Sequence, residues 1–135
     1  LDSVLEVLTL GVGALGGISL LVGSVGILTI MTLAVSERIS EIGLFRAIGA
    51  QRKDILGMFL GEAIALSTAG GMFGVLLGIG LVGLIGWLLP ALPVQLAWPY
   101  VLFAFGLSVL IGMAAGVVPA LRAARLDPLE ALRTE

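Results

Sequence analysis

From Ala63 to Leu121 the chain carries no charged residue. As one continuous helix those 59 residues would be about 88 Å long at about 1.5 Å per residue. The apolar core of a bilayer takes only about 20 residues, or about 30 Å. The run is too long for one span and must turn back at least once. A second uncharged run covers Val7 to Ser36. Together the two runs make this an integral membrane protein before any motif is considered. Composition agrees: 59% of residues are apolar and 12% charged, against about 25% charged in an average soluble domain.

The expected fold class is all-α, with three transmembrane helices and one short helical segment outside the bilayer. The chain divides into an outer-side start and first span over residues 1–36, a cytoplasmic segment at 37–61, a second span at 62–89, a proline loop at 90–99, a third span at 100–121 and a cytoplasmic tail at 122–135. Within these limits the helical cores are expected from Val7 to Val35, from Ala63 to Leu89 and from Tyr100 to Leu121. The first is longer than a bilayer requires, so it tilts or projects from one face. Pro90, Pro93 and Pro99 remove backbone donors and separate the last two spans. Trp87, Trp98 and Tyr100 gather around that break, as aromatic residues do at a membrane interface.

Orientation follows from the basic residues. Arg38, Arg46, Arg52 and Lys53 lie between the first two spans, and Arg122, Arg125 and Arg133 follow the third. The N-terminal segment and the proline loop have none. The positive-inside rule puts residues 37–54 and 122–135 in the cytoplasm. The N-terminus is then outside and the C-terminus inside, as three spans require. The chain begins at Leu1 and shows no basic region followed by a cleavage site. Residues 1–30 are therefore not read as a signal peptide; the expectation is a piece of a longer chain, or a processed or engineered one.

Among the 20 glycines, Gly13 and Gly17, Gly70, Gly74 and Gly78, and Gly112 and Gly116 recur at intervals of four. Such spacing lines one helix face with small residues and lets backbones approach. These seven are the expected helix-packing residues, serving contacts among the three spans or a dimer face. Polar groups in the spans are few: Ser19, Ser24, Thr29, Thr32, Ser67, Thr68 and Ser108. The one ionisable residue is Glu62, at the start of the second span and about 12 Å along a helix from Asp54. It is expected at the cytoplasmic interface, snorkelling or bonded to a helix end, or else tied to Arg46 or Arg52. No polar lane crosses the bilayer, and broken helices with midplane polar groups, the marks of a secondary transporter, are missing from the sequence.

The segment between the first two spans reads SERISEIGLFRAIGAQRKDILGMFLGE. Glu37 to Ile48 is good helix-forming sequence apart from Gly43. Ile39, Ile42, Phe45 and Ile48 recur every three residues, a ladder that drifts around a 3.6-residue helix. Arg38 and Glu41 are spaced to pair. Gly49 is placed to end the helix in a left-handed cap, after which a second helix starts near Gln51 and enters the membrane. Mixed charge with exposed Ile and Phe suits a protein partner better than a headgroup layer, where a more basic helix is expected. In the tail, Asp127-Pro128-Leu129-Glu130 has the order of a helix start: cap, first-turn proline and capping-box acid.

Three stretches in this order, SERISEIGLFRAIGAQRKDI, FLGEAIALSTAGGMFGVLLGIG and VVPALRAARLDPLEALR, resemble the permease domain of MacB-type ABC transporters, the FtsX-like permease family. The resemblance covers nearly the whole chain. It implies a four-helix permease of which this chain holds helices two, three and four, without the first helix and the large extracytoplasmic domain. It further implies that the segment after the first span is a coupling helix docking on a separate ATP-binding subunit or domain, with Glu37, Arg38, Glu41, Ile42, Arg46 and Gly49 as contacts. The implied work is mechanotransmission: ATP-driven closure of an ATPase pair moves the coupling helices, and the spans carry the motion outward to efflux, lipoprotein extraction or hydrolase activation. The implied partners are that ATPase, a second permease copy or paralogue, an extracytoplasmic adaptor and the lipid of the inner membrane; no nucleic acid is expected.

A cofactor in this chain is not expected. ATP and Mg belong to the partner, because the phosphate-cradling GxxxxGK[ST] does not occur here. An enzyme is also disfavoured. Histidine and cysteine are absent, which removes the commonest general base, the thiolate nucleophile and the usual metal ligands. No catalytic residue and no metal site is assigned. The competing reading is a non-transport helix-bundle scaffold, which the glycine faces and apolar spans would also suit. Co-purification of a P-loop ATPase separates the two.

Overall fold

The computed structural model describes residues 2–91, 94–127, 129 and 133. Among the described residues four helices follow one another: α1 Asp2–Glu37, α2 Ile39–Ala47, α3 Arg52–Leu88 and α4 Trp98–Ala124. Helices α1, α3 and α4 have the length and apolarity to cross a membrane. A chain in lipid must satisfy its backbone within each span, and the three long helices do so. The expected all-α architecture of three spans and one short helix is what the chain adopts.

The spans extend beyond their expected limits. Helix α1 has 36 residues, about 54 Å, so it exceeds the bilayer core substantially. Helix α3 begins at Arg52, at the start near Gln51 that the sequence suggests, and runs unbroken into the second span. The proline break behaves as its chemistry demands. Helix α3 closes with the Leu89 amide donating to Ile85 O at 2.8 Å, directly before Pro90. Helix α4 takes Pro99 into its first turn, where an amide has no intrahelical acceptor to lose. Pro93 lies outside the described residues. Pro119 stands inside α4 and is fully buried.

The buried apolar residues gather at one end of the spans. Met31 and Val35 of α1, Ile42 of α2, Ile55, Phe59 and Ala63 of α3, and Ala120, Ala123 and Ala124 of α4 form one cluster, with Ile27, Leu56 and Leu126 packed against it. This is also the end that carries Arg38, Arg46 and Arg52. Toward the proline loop the side chains are exposed, as they are in a helix whose solvent is lipid. Trp87, Trp98 and Tyr100 are 78%, 58% and 77% exposed there, free to meet an interface rather than packed in a core.

The glycines divide sharply. Gly112 and Gly116 of α4 lie directly on Ser67 and Ala63 of α3, with Ile27 of α1 against Gly112 as well. A Cβ at either position would collide with those side chains, so these two glycines set the α3–α4 approach. Gly13, Gly17, Gly70, Gly74 and Gly78 have no such neighbour. Gly70, Gly74 and Gly78 border an open apolar groove of about 400 Å³ between α3 and α4, with Phe105 and Ser108 opposite.

Ser19, Ser24, Thr29, Thr32 and Ser67 turn their hydroxyls back on their own helices, whereas Ser108 borders the groove. Ser19 donates to Leu15 O at 2.9 Å, Thr29 to Val25 O at 2.8 Å and Thr32 to Leu28 O at 2.7 Å. Ser67, the one buried polar residue among those described, donates to Ile64 O at 3.1 Å. Such back-bonding satisfies the hydroxyl without offering it to a neighbour. The described residues therefore form no polar file across the spans.

Candidate functional site

The site is built around α2, the short helix held between two long ones. The sequence leads one to expect a helix from Glu37 to Ile48; the chain instead breaks for a single residue. Arg38 has φ −108° and ψ 19°, in the sparsely allowed bridge region. Its amide donates to Val35 O, and its carbonyl accepts from Ile42 at 3.0 Å to start α2. No glycine or proline marks the break, so local propensity gives no sign of it.

The far end of α2 follows the sequence closely. Gly49 has φ +107°, its amide donates to Arg46 O, and the Ala50 amide donates to Phe45 O at 2.9 Å. These two bonds are the paired closures of a Schellman cap, and the left-handed residue between them is where a glycine costs least. Two residues on, the Gln51 amide donates to Asp54 Oδ2 at 2.9 Å. That contact satisfies the backbone donor flanking α3 and places an acid on its positive end. The connection is thus short and capped on both sides.

One face of α2 is anchored and another is free. Ile42 is 1% exposed and packs in the core, with Gly43 buried beside it. Leu44, Phe45 and Ile48 are 58%, 46% and 74% exposed. The three-residue ladder therefore drifts as a 3.6-residue helix requires, from half-buried Ile39 and buried Ile42 to open Phe45 and Ile48. Of the residues that the family resemblance assigns to partner contact, Glu37, Arg38, Glu41 and Gly49 lie at the surface. Ile42 does not: its side chain is spent on holding α2 to the spans. Leu44 was not singled out by sequence, because its place on the outward face follows from which residue anchors the helix. Arg46 is partly buried, and its Nε has no hydrogen-bond partner among the described residues.

Glu62 has a different partner from the expected ones. Its Oε2 lies 3.9 Å from a guanidinium nitrogen of Arg38, not of Arg46 or Arg52. Arg38 accordingly reaches across to α3 rather than along its own helix to Glu41. The two side chains are 48% and 38% exposed, and pairs so open contribute about 0.2–1 kcal/mol in water. Their value is positional: they join the α1–α2 break to α3. The nearer arginines sit on or beyond α2, and the break turns Arg38 toward Glu62 in their place.

In the tail, the Leu129 amide donates to Asp127 Oδ1 at 3.1 Å, the bond an aspartate cap makes two residues ahead. Pro128 and Glu130 lie outside the described residues. Arg122 and Arg125 are exposed at the end of α4, beside the same end of the bundle as α2. No group of three His, Cys, Asp or Glu able to hold a metal occurs among the described residues.

Residues 13–128 match the family described as FtsX-like permease C-terminal. The chain is 45% identical over its whole length to the macrolide export ATP-binding/permease protein MacB of Bdellovibrio bacteriovorus, covering 21% of that protein. It is 45% identical over 95% of its length to the pyoverdine export ATP-binding/permease protein PvdT of Pseudomonas entomophila, covering 19%. An uncharacterised ABC transporter permease of Bacillus subtilis, YknZ, is 40% identical across the whole chain, which covers 34% of it. The chain thus spans between a fifth and a third of the relatives it matches. The match takes in all three spans and α2, and the chain belongs to the FtsX-like permease family.

Proposed function

We propose that this chain is the C-terminal transmembrane part of an ABC transporter permease, and that α2 is the element through which a cytoplasmic ATPase moves it. The observation that carries the reading is the division of α2 into an anchored and an open face. Ile42 fixes the helix to the core, while Leu44, Phe45 and Ile48 stand open outside the spans. An exposed apolar patch beside mixed charge is what a protein partner recognises. The basic residues at this end favour the cytoplasm as its compartment, where such an ATPase works.

The output is mechanical. Ordinary transport through the chain would need a polar path, and Ser19, Thr29, Thr32 and Ser67 bond back to their own helices, which leaves no file of polar groups among the described residues. Displacement of α2 by nucleotide-driven closure of the ATPase would instead shift the packed end of the spans, and the long α1 and α3 would carry that shift outward. A pair of such chains, each on one ATPase, would act together, with an adaptor on the outer side as a further partner. MacB is named for macrolide export and PvdT for pyoverdine export; efflux is the output these relatives favour.

Charge reversal at Glu41 or Arg46 in the complete permease tests the reading. Glu41→Lys, at an exposed position, is expected to abolish ATP-driven export while leaving the unfolding temperature in detergent unchanged, and Arg46→Glu, at a partly buried one, to abolish export with a lower unfolding temperature. Normal export by both variants would remove α2 from the coupling path. A scaffold protein, in contrast, would fail to retain a P-loop ATPase through purification.

A further inference from the structure

Helix α2 hangs between two junctions of different character. On the α3 side, the Schellman cap at Gly49 and the Gln51–Asp54 contact fix the chain through backbone geometry. On the α1 side there is one non-helical residue, Arg38, with no capping side chain. Helix α1 packs mainly on α4 and meets α3 only slightly. The same end of α1 also meets α3 through the buried apolar cluster, where Met31 and Val35 join Ile55, Phe59 and Ala63. Among the described residues, the polar contact between the junction and α3 is the Arg38–Glu62 ion pair.

We infer that Arg38 and Glu62 form a clamp that makes α1 and α3 respond together when α2 is displaced. Arg38 sits at the one break in an otherwise continuous helical path from Asp2 to Ala47. Glu62 is the single ionisable residue of α3 beyond its first turn. Their half-exposed pairing is weak enough to open and reform, yet it lies at the edge of the buried cluster, next to Ala63 and close to Val35. With the clamp closed, a displacement entering at α2 reaches two spans at once. With it open, the α1–α2 junction is held to α3 by apolar packing alone, while α3 stays with α4 through Gly112 and Gly116.

The clamp itself stands on geometry; its use in a power stroke rests on the coupling reading above. The test keeps the two apart. Spin labels on Ser36→Cys and Ala65→Cys, both exposed positions, report the α1–α3 separation in the complete permease in lipid nanodiscs, on a cysteine-free background and without ATPase. Glu62→Gln, close to isosteric, is expected to broaden the distance distribution, as is Arg38→Glu. The exchanged pair Arg38→Glu/Glu62→Arg is expected to restore the original width. An unchanged distribution in Glu62→Gln, or an exchanged pair as broad as the single variants, would overturn the clamp. Because no ATPase is present, that outcome is independent of whether α2 docks on one.

Discussion

Gly49 and Gly112 are both glycine for reasons that a composition cannot distinguish. Gly49 needs its φ of +107°; Gly112 needs the space that a Cβ would take from Ser67. Substitution should separate them. Gly49→Ala places a side chain in left-handed backbone and is expected to cost about 1–2 kcal/mol, loosening the α2–α3 connection while the spans stay packed. Gly112→Ala and Gly116→Ala force α3 and α4 apart and are expected to cost about 1–3 kcal/mol each by overpacking, lowering the unfolding temperature of the whole bundle. Gly13→Ala and Gly74→Ala meet nothing and should leave stability unchanged or raise it slightly, since alanine is the better helix former. Thermal unfolding in one detergent, across these five variants, checks the ranking.

Among single residues, what sequence could show was the local part. Gly49 was legible because a glycine after a helical run and before a new start has one common use. The seven GxxxG glycines were not equally legible. Spacing puts Gly70, Gly74 and Gly78 on a common face as surely as Gly112 and Gly116, but which face meets a neighbour depends on how the helices cross. The partner of Glu62 escaped for the same reason: the choice among Arg38, Arg46 and Arg52 depends on a one-residue break that propensity does not signal.

At the scale of the element, α2 is defined by what holds it. Its sequence alone suggests a ladder of apolar residues that drifts around the helix, without saying which of them meet the spans. Packing divides the ladder, withdrawing Ile42 into the core and leaving Phe45 and Ile48 outside. The two halves should therefore respond differently to mutation. Ile42→Ala removes a fully buried side chain and is expected to destabilise by about 2–5 kcal/mol, with export lost only as the protein unfolds. Phe45→Ala and Ile48→Ala should leave the unfolding temperature within a degree or two of the parent and weaken ATPase retention in detergent. Equal loss of stability in all three would show α2 to be buried on both faces. The long spans were the most legible elements, because a charge-free run of known length leaves few ways to fold; the ends of α1 were less so, since it runs from Asp2 to Glu37 with no breaker at the expected limits of Val7 and Val35.

For the molecule as a whole, the arrangement is that of three spans gathered at one end and parted toward the other. The buried cluster, the two packing glycines and the Arg38–Glu62 pair all lie at or near the arginine-bearing end. A displacement applied there acts on the part of the protein that is packed, and the long helices extend its reach. The family was recognisable from three short stretches, two of which flank this end. The groove beside Gly74 and the exposed face of α1 follow instead from the way the helices splay, which no local pattern encodes.

The most direct measurement is site-specific photo-crosslinking from α2 in the complete permease assembled with its ATPase in membranes. A photoreactive side chain at Phe45 or Ile48 should crosslink to the ATPase, one at Leu76 in the span should not, and one at Ile42 should label only the permease itself. Crosslinks to the ATPase from Phe45 and Ile48 alone are the predicted result. Their absence from both positions, with ATPase captured from any other part of the chain, would contradict α2 as the docking element.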